Sequence, residues 1–270
     1  MKPIRLSALL LAATCCASAN AVAAPTAKNI IFFLGDGMGS TTVVAARLFK
    51  YREEGLLNME RMERSARIKT YSNDAQTTDS APSMGAYMTG IKINNDVISM
   101  ADAKSTSPAK DANGNYTIDN CVPGNGRAVP TILELAKAAG KSVGAVTTTE
   151  MTHATPASTF AHACHRNTLH GMASRIVPGS PDYNSALGDG VDVLMGGGRN
   201  LFTPYDAKRN PAGRADGRDL MAQFAAKGYT VASNAGEMQA APAGRKFIGI
   251  YSDSSHLDFE IERRPSQPAL

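Results

Sequence analysis

The chain has 270 residues, 43% of them apolar and 19% charged, with a formal net charge of +4. That length is enough to bury a sizeable core, and the sequence carries neither an internal repeat nor a second domain. The weak positive balance excludes a nucleic-acid-binding surface.

Residues 1–23 read as a secretory signal peptide. Lys2 and Arg5 form a basic start, Leu6 to Ala13 an apolar stretch, and Ala21-Val22-Ala23 a small-residue cleavage site. Cys15 is a weak candidate for a lipid anchor, because Ala12-Ala13-Thr14 is a poor lead-in. No other stretch is long and apolar enough to span a membrane. Without the leader, Lys2 and Arg5 drop out of the 28 basic residues, and the balance against 24 acidic ones is close to neutral. The expected location is periplasmic or secreted.

Asn29 to Leu34 is a continuous apolar run of strand length, expected to be a strand buried on both faces of a parallel sheet. It leads into Gly35-Asp36-Gly37-Met38-Gly39-Ser40, and Thr41 to Tyr51 reads as a helix. This is not the dinucleotide fingerprint, which needs Gly where Ser40 stands. A carboxylate at the C-terminal end of a central strand is where open α/β sheets place their chemistry, although Asp36 also fits a plain strand–helix turn.

Thr77-Thr78-Asp79-Ser80 runs into Ala81-Pro82-Ser83-Met84-Gly85, small residues that can open a helix with Pro82 in its first turn. Ser80 is then at a helix N-terminus, where unpaired N–H groups favour an anion. An N-cap role for Asp79 or Ser80 accounts for the same pattern.

Lys104 to Gly126 is polar and reads as a mobile surface loop. Pro130 to Ala139 reads as an amphipathic helix with Ile132, Leu133, Leu135 and Ala136 on or near one face, ended by Gly140. Gly140-Lys141-Ser142 is not a P-loop, since Leu135 stands where its first Gly belongs. Lys141-Ser142 begins a strand that leads to Glu150-Met151-Thr152-His153-Ala154-Thr155-Pro156-Ala157. His162, Cys164, His165 and His170 lie close in sequence but match no zinc spacing. Val191 to Met195 reads as a buried strand before a Gly196-Gly197-Gly198 turn, Asp219 to Lys227 as a helix ended by Gly228, and Phe247 to Tyr251 as a strand. Two cysteines leave with the leader. Cys121 and Cys164 remain as a disulfide pair for an oxidising compartment.

The Asp36-Gly37-Met38-Gly39, Asp79-Ser80-Ala81 and His153-Ala154-Thr155-Pro156-Ala157 segments, followed by Ala161-His162, Arg166 and Val191 to Arg199, resemble in this order the alkaline phosphatase family. The resemblance covers essentially all of residues 24–270. It implies an α/β fold, a three-layer α/β/α sandwich around a largely parallel sheet, and hydrolysis of small phosphate monoesters through a phosphoserine at a zinc and magnesium centre. By resemblance Ser80 is the nucleophile and, with Asp36, part of the zinc sphere, and Arg166 clamps two phosphate oxygens. Asp79 orients that arginine, and Asp36 is shared between zinc and magnesium. Thr155 ligates magnesium, His153 borders it, and His162 is structural. Taken singly, Arg166 also fits a surface arginine, Thr155 a helix N-cap and His153 a polar strand end.

Those roles are chemically coherent. A serine hydroxyl needs a base or a metal to become a nucleophile. Planar guanidinium pairs with two oxyanions at once, and oxygen donors suit magnesium. The family's later half carries an E-G-x-x-I-D-H-x-x-H segment, an Asp-His pair and a further His, none of which occurs here. The histidines are His153, His162, His165, His170 and His256. The expectation is therefore an N-terminal portion of such an enzyme, truncated at its C-terminus, with an incomplete metal centre, doubtful turnover, and a homodimer only if the missing half is supplied. Alternatives are a related metal-dependent sulfatase or phosphodiesterase, or a non-catalytic periplasmic protein that binds phosphate.

Overall fold

The computed structural model describes residues 27–112, 114–116, 121–253 and 256–257. The proposed leader at 1–23 and the last residues of the chain, 258–270, lie outside them. Residues 1–35 and 36–270 form two separate units.

In the first unit, the described residues 27–35 form no strand, contrary to the sequence reading. Ile30 is 81% and Phe33 87% exposed. An apolar run gives a segment the tendency to be buried, but a strand exists only where its N–H and C=O groups meet a partner in register; among the described residues this segment joins no sheet.

The second unit is mixed α/β. In chain order it contains α1 (Ser40–Tyr51), α2 (Ser80–Thr89), β1 (Met100–Ala101), β2 (Arg127–Ala128), α3 (Ile132–Ala138), β3 (Gly144–Glu150), α4 (Ala154–Phe160), α5 (Leu169–Arg175), β4 (Val193–Gly197), α6 (Leu220–Ala226), β5 (Thr230–Ala232), α7 (Ala235–Gln239) and β6 (Phe247–Ile250). Strands β3, β4, β6 and β5 lie side by side in that order, every pair parallel, and β1 and β2 form a separate antiparallel pair. The expected helix at 41–51, the helix after Asp219 and the strands at Val193 and Phe247 are all present. The main core gathers Phe160, Met172, Ile176, Leu194, Phe202, Leu220, Phe224 and Ile248 between the sheet and the helices after β3.

Two features of β3 and its surroundings place the site. The β3–β4 register is regular from Gly144↔Val193 to Val146↔Met195 and then shifts before Glu150↔Gly197. The shift sits against Gly196, where a Cβ would lie 2.8 Å from Thr147 Cγ2 and 3.1 Å from the Thr149 carbonyl. The missing side chain lets the strand kink, and Thr147 Oγ1 takes up the Thr149 N–H at 3.1 Å. Beyond the kink, His153 is the N-cap residue of α4. That helix packs on α2 through small buried residues, Ala81 against Ala154 and Ala157, with Ser158 Oγ donating to the carbonyls of Ala154 (2.8 Å) and Ala81 (3.3 Å).

Helix α3 departs from its expected face. Leu133 and Ala136 pack on the core, but Ile132 is exposed and Leu135 is 59% exposed. The helix turns about 100° per residue, so 132 and 135 fall beside rather than beneath the covered stripe. Glu134 is buried instead, 4% exposed. Its carboxylate accepts from Thr131 N–H at 2.7 Å and Asn184 Nδ2 and pairs with His162 Nε2 at 2.8 Å. Gly140, at φ +72°, ends the helix as read. The 104–126 loop is tied down at its far end. Asn125 exchanges two hydrogen bonds with Lys104, and Cys121 is disulfide-bonded to Cys164 with Cα atoms 5.2 Å apart.

Burial alone would raise the Glu134 pKa, but the bonds from His162, Asn184 and Thr131 outweigh it and hold the carboxyl below its ordinary value. A lowered carboxyl pKa stabilises the fold above the ordinary value and loses that contribution as pH falls through the lowered one. Glu134→Gln is expected to cost about 1–3 kcal/mol at neutral pH, with the gap to the native chain closing in acid. Urea unfolding across pH checks this; a gap independent of pH would place the loss in packing. Replacing Cys121 and Cys164 by serine opens a link of 43 residues and is expected to cost about 2–4 kcal/mol. Equal unfolding midpoints for the oxidised native chain and the double variant would contradict it.

Candidate active site

Ser80 opens α2 as the sequence predicts, with Asp79 as its N-cap: Asp79 Oδ1 accepts from Ala81 N–H at 2.7 Å. The simpler N-cap role therefore belongs to Asp79. The Ser80 hydroxyl is half-buried and has no hydrogen bond among the described residues. It stands where unpaired N–H groups and the helix dipole favour negative charge.

Arg166 comes from the segment between α4 and α5, far away in sequence. Its Nη1 donates to Asp79 Oδ1 at 2.8 Å, and its Nη2 lies 3.2 Å from His153 Nε2. The pair is half-shielded, with Asp79 24% and Arg166 21% exposed in their side chains. Burial, followed by the nearby charges of Arg166 and His256, holds His153 below the usual imidazole range. Because Arg166 is a donor, Nε2 of the neutral ring accepts, and the ring proton sits on Nδ1, which is buried without a hydrogen-bond partner among the described residues. The His256 ring meets His153 edge-on at 5.5 Å between centroids.

Asp36 lies in the turn before α1, where Gly37 adopts φ +66°. Its Oδ2 accepts from Thr155 Oγ1, in the first turn of α4, at 2.8 Å. So Asp36 meets Thr155 as the resemblance implied, although no strand precedes it. Five of the residues form two adjoining contacts, Asp79–Arg166–His153 and Asp36–Thr155, joined through the His153-Ala154-Thr155 segment.

The donor chemistry decides which ions these residues fit. Two oxygens of one octahedral magnesium site lie about 3 Å apart. The Asp36 and Thr155 oxygens are already at that spacing, and His153 borders them two residues before Thr155. Zinc requires three or four protein donors, and among the described residues no three His, Cys, Asp or Glu side chains are grouped to hold an ion. The described residues thus fit part of a magnesium site and do not fit a zinc site.

The alkaline phosphatase family model matches residues 27–270. The chain belongs to the alkaline phosphatase family. It is 35% identical to the tissue-nonspecific alkaline phosphatase of Gallus gallus, over 72% of this chain and 39% of that one. Among solved structures, the alkaline phosphatase of Thermus thermophilus superposes with a TM-score of 0.62 at 30% identity, covering 85% of this chain and 41% of that one. A variant of the TAB5 alkaline phosphatase with magnesium bound in its M3 site superposes with a TM-score of 0.60 at 26% identity, covering 83% and 52%. The chain therefore spans about half or less of the length of these relatives.

Other histidine-segment residues are dispersed. His162 is held by the Ser99 carbonyl and Glu134, Cys164 is in the disulfide, and His170 contacts the Ala212 carbonyl. The sequence reading missed the turn at Asn94-Asn95-Asp96. Asn95 Oδ1 accepts from Asp79 N–H at 3.4 Å and its Nδ2 donates to the Thr77 carbonyl at 3.1 Å. Consecutive Asn and Asp residues are turn formers with side chains that bond nearby backbone, and that composition was the available signal.

Asp79→Ala removes both the α2 cap and the partner of Arg166, and is expected to cost about 1–2 kcal/mol. Asp79→Asn keeps a capping oxygen and is expected to cost less. Urea unfolding of the two variants separates the effects; equal losses would assign the cost to the ion pair and not to the cap.

Proposed function

We propose that the chain carries the phosphate-handling half of a phosphate monoester hydrolase, with Ser80 as nucleophile. The observation that carries this reading is the Asp79–Arg166 pair. It fixes a guanidinium beside a helix N-terminus that opens on an unengaged serine hydroxyl.

In this reading the phosphate dianion sits at the start of α2. Arg166 pairs with two of its non-bridging oxygens, and the backbone N–H groups of the first turn supply further donors. Ser80 Oγ attacks phosphorus, the bond to the ester oxygen breaks, and the leaving alcohol takes up a proton. Water then attacks the phosphoserine, releasing phosphate and restoring the hydroxyl. Asp79 keeps Arg166 aimed, and neutral His153 supports its other edge without adding positive charge. Asp36 and Thr155 would hold magnesium, with His153 bordering the site. Divalent metal at such a centre lowers the pKa of bound oxygen nucleophiles and stabilises charge on the attacking and leaving oxygens.

Zinc, the family-based expectation, would need ligands from outside the described residues, so efficient turnover calls for polypeptide beyond them. Residues 1–23 are read as an export signal and 24–270 as part of one alkaline phosphatase domain, working in the periplasm or outside the cell. A homodimer belongs to the completed protein. A non-catalytic phosphate-binding role is the second reading, favoured by the absence of a three-residue metal cluster among the described residues.

Hydrolysis of a chromogenic phosphate monoester at alkaline pH, with zinc and magnesium supplied, tests the first reading. Any rate of the native chain is expected to fall by at least about a thousandfold in Ser80→Ala. Activity that persists in this variant would rule out Ser80 as nucleophile. Folded but inactive protein that binds inorganic phosphate, and loses it in Arg166→Ala, would favour the second reading.

A further inference from the structure

We propose that Asp96 is a positioning residue for the Asp79–Arg166 pair, acting through its backbone and not through its carboxylate. The inference rests on the reading of Arg166 as the phosphate clamp only for its functional consequence. Asp96 is one of few non-glycine residues with positive φ, at +64°. In that conformation its N–H donates to Asp79 Oδ2 at 2.6 Å, and its C=O accepts from the backbone N–H of Arg166 at 2.6 Å, fixing the main chain from which the guanidinium projects. A single residue therefore grips both members of the pair.

The consequence for Asp79 is complete restraint. One oxygen takes the Ala81 N–H and the Arg166 guanidinium, and the other takes the Asp96 N–H. Carboxylate rotation would break at least one of these bonds. The turn that presents Asp96 is itself anchored on both sides: Asn95 N–H donates to Asp74 Oδ1 at 2.9 Å, and Asn94 Nδ2 to the Ala103 carbonyl at 2.8 Å.

The Asp96 side chain is less engaged. Its carboxylate is 41% exposed, 3.8 Å from His165 Nε2, and accepts a long bond of 3.4 Å from Ser105 Oγ. A left-handed residue other than glycine persists where the surroundings over-determine it, and Asp tolerates that region better than most. Here the surroundings are the two short bonds to Asp79 and Arg166. The required property is thus a left-handed residue with an N–H, which glycine also offers and proline cannot.

The test is the nitrogen-15 NMR signature of the Arg166 side chain in the full chain, together with a titration of inorganic phosphate. In the native chain the Arg166 Nε–H signal is expected to exchange slowly, as that of a held guanidinium. Asp96→Gly is expected to retain the signal and the phosphate affinity. Asp96→Pro is expected to broaden or lose the signal and to weaken phosphate binding about 10- to 100-fold. Should the proline variant fail to fold, Asp96→Val keeps the N–H but disfavours positive φ, and is expected to give the same loss in a chain with native near-ultraviolet dichroism. An unchanged Arg166 signal in a folded proline or valine variant, or its loss in Asp96→Gly, would overturn the proposal. If the native chain binds no phosphate while the Arg166 signal follows this pattern, the positioning role stands and the phosphate-clamp reading fails.

Discussion

The site is organised around one carboxylate. Asp79 caps α2, holds Arg166 and receives the Asp96 N–H. Each of these contacts alone is an ordinary polar interaction. Sharing one carboxylate couples them, so that the start of α2, the guanidinium and the 94–96 turn have a common geometry. This coupling matters for chemistry on a phosphate, where most of the task is to hold charge in place and little bond making falls to the protein beyond the nucleophile.

The scaffold brings the parts together by small-residue packing and one strand defect. Ala81, Ala154 and Ala157 let α2 and α4 approach closely, which sets the Ser80 and Thr155 ends near one another. The kink of β3 against Gly196 redirects the chain so that His153 stands at the N-cap position of α4, its side chain on Arg166 and not on the helix end. A side chain at 196 would meet Thr147 and the Thr149 carbonyl, so the glycine belongs to the site's construction although it touches no functional group.

The same molecule leaves much apolar surface uncovered. Phe49 on α1 is 94% exposed, and Val146 on β3 and Leu135 on α3 are also open to solvent. Scattered exposed apolar residues are common. Here they accompany an Asp36–Thr155 oxygen pair and, among the described residues, no cluster of three His, Cys, Asp or Glu side chains. Both observations accord with a chain that spans about half or less of the length of its relatives.

By itself the sequence determined the features written in local chemistry. Asp79-Ser80 before small residues set the start of α2. Gly140 and Gly228 marked two helix ends, and the ordered motifs identified the family. The pairing of Asp36 with Thr155 and of Asp79 with Arg166 was legible only through that resemblance, because nothing in local pattern links residues so far apart. Tertiary structure decided the rest. It left Asn29–Leu34 outside the sheets formed by the described residues, since strand pairing depends on a partner that no apolar run can specify. It turned Leu135 outward and buried Glu134, since His162 and Asn184, from separate segments, join the local Thr131 cap in binding its carboxylate and outweigh the hydrophobic pattern of α3. It also gave Asp96 its place, because the bonds that hold a left-handed aspartate come from residues 17 and 70 positions away, and only the folded chain brings them within reach.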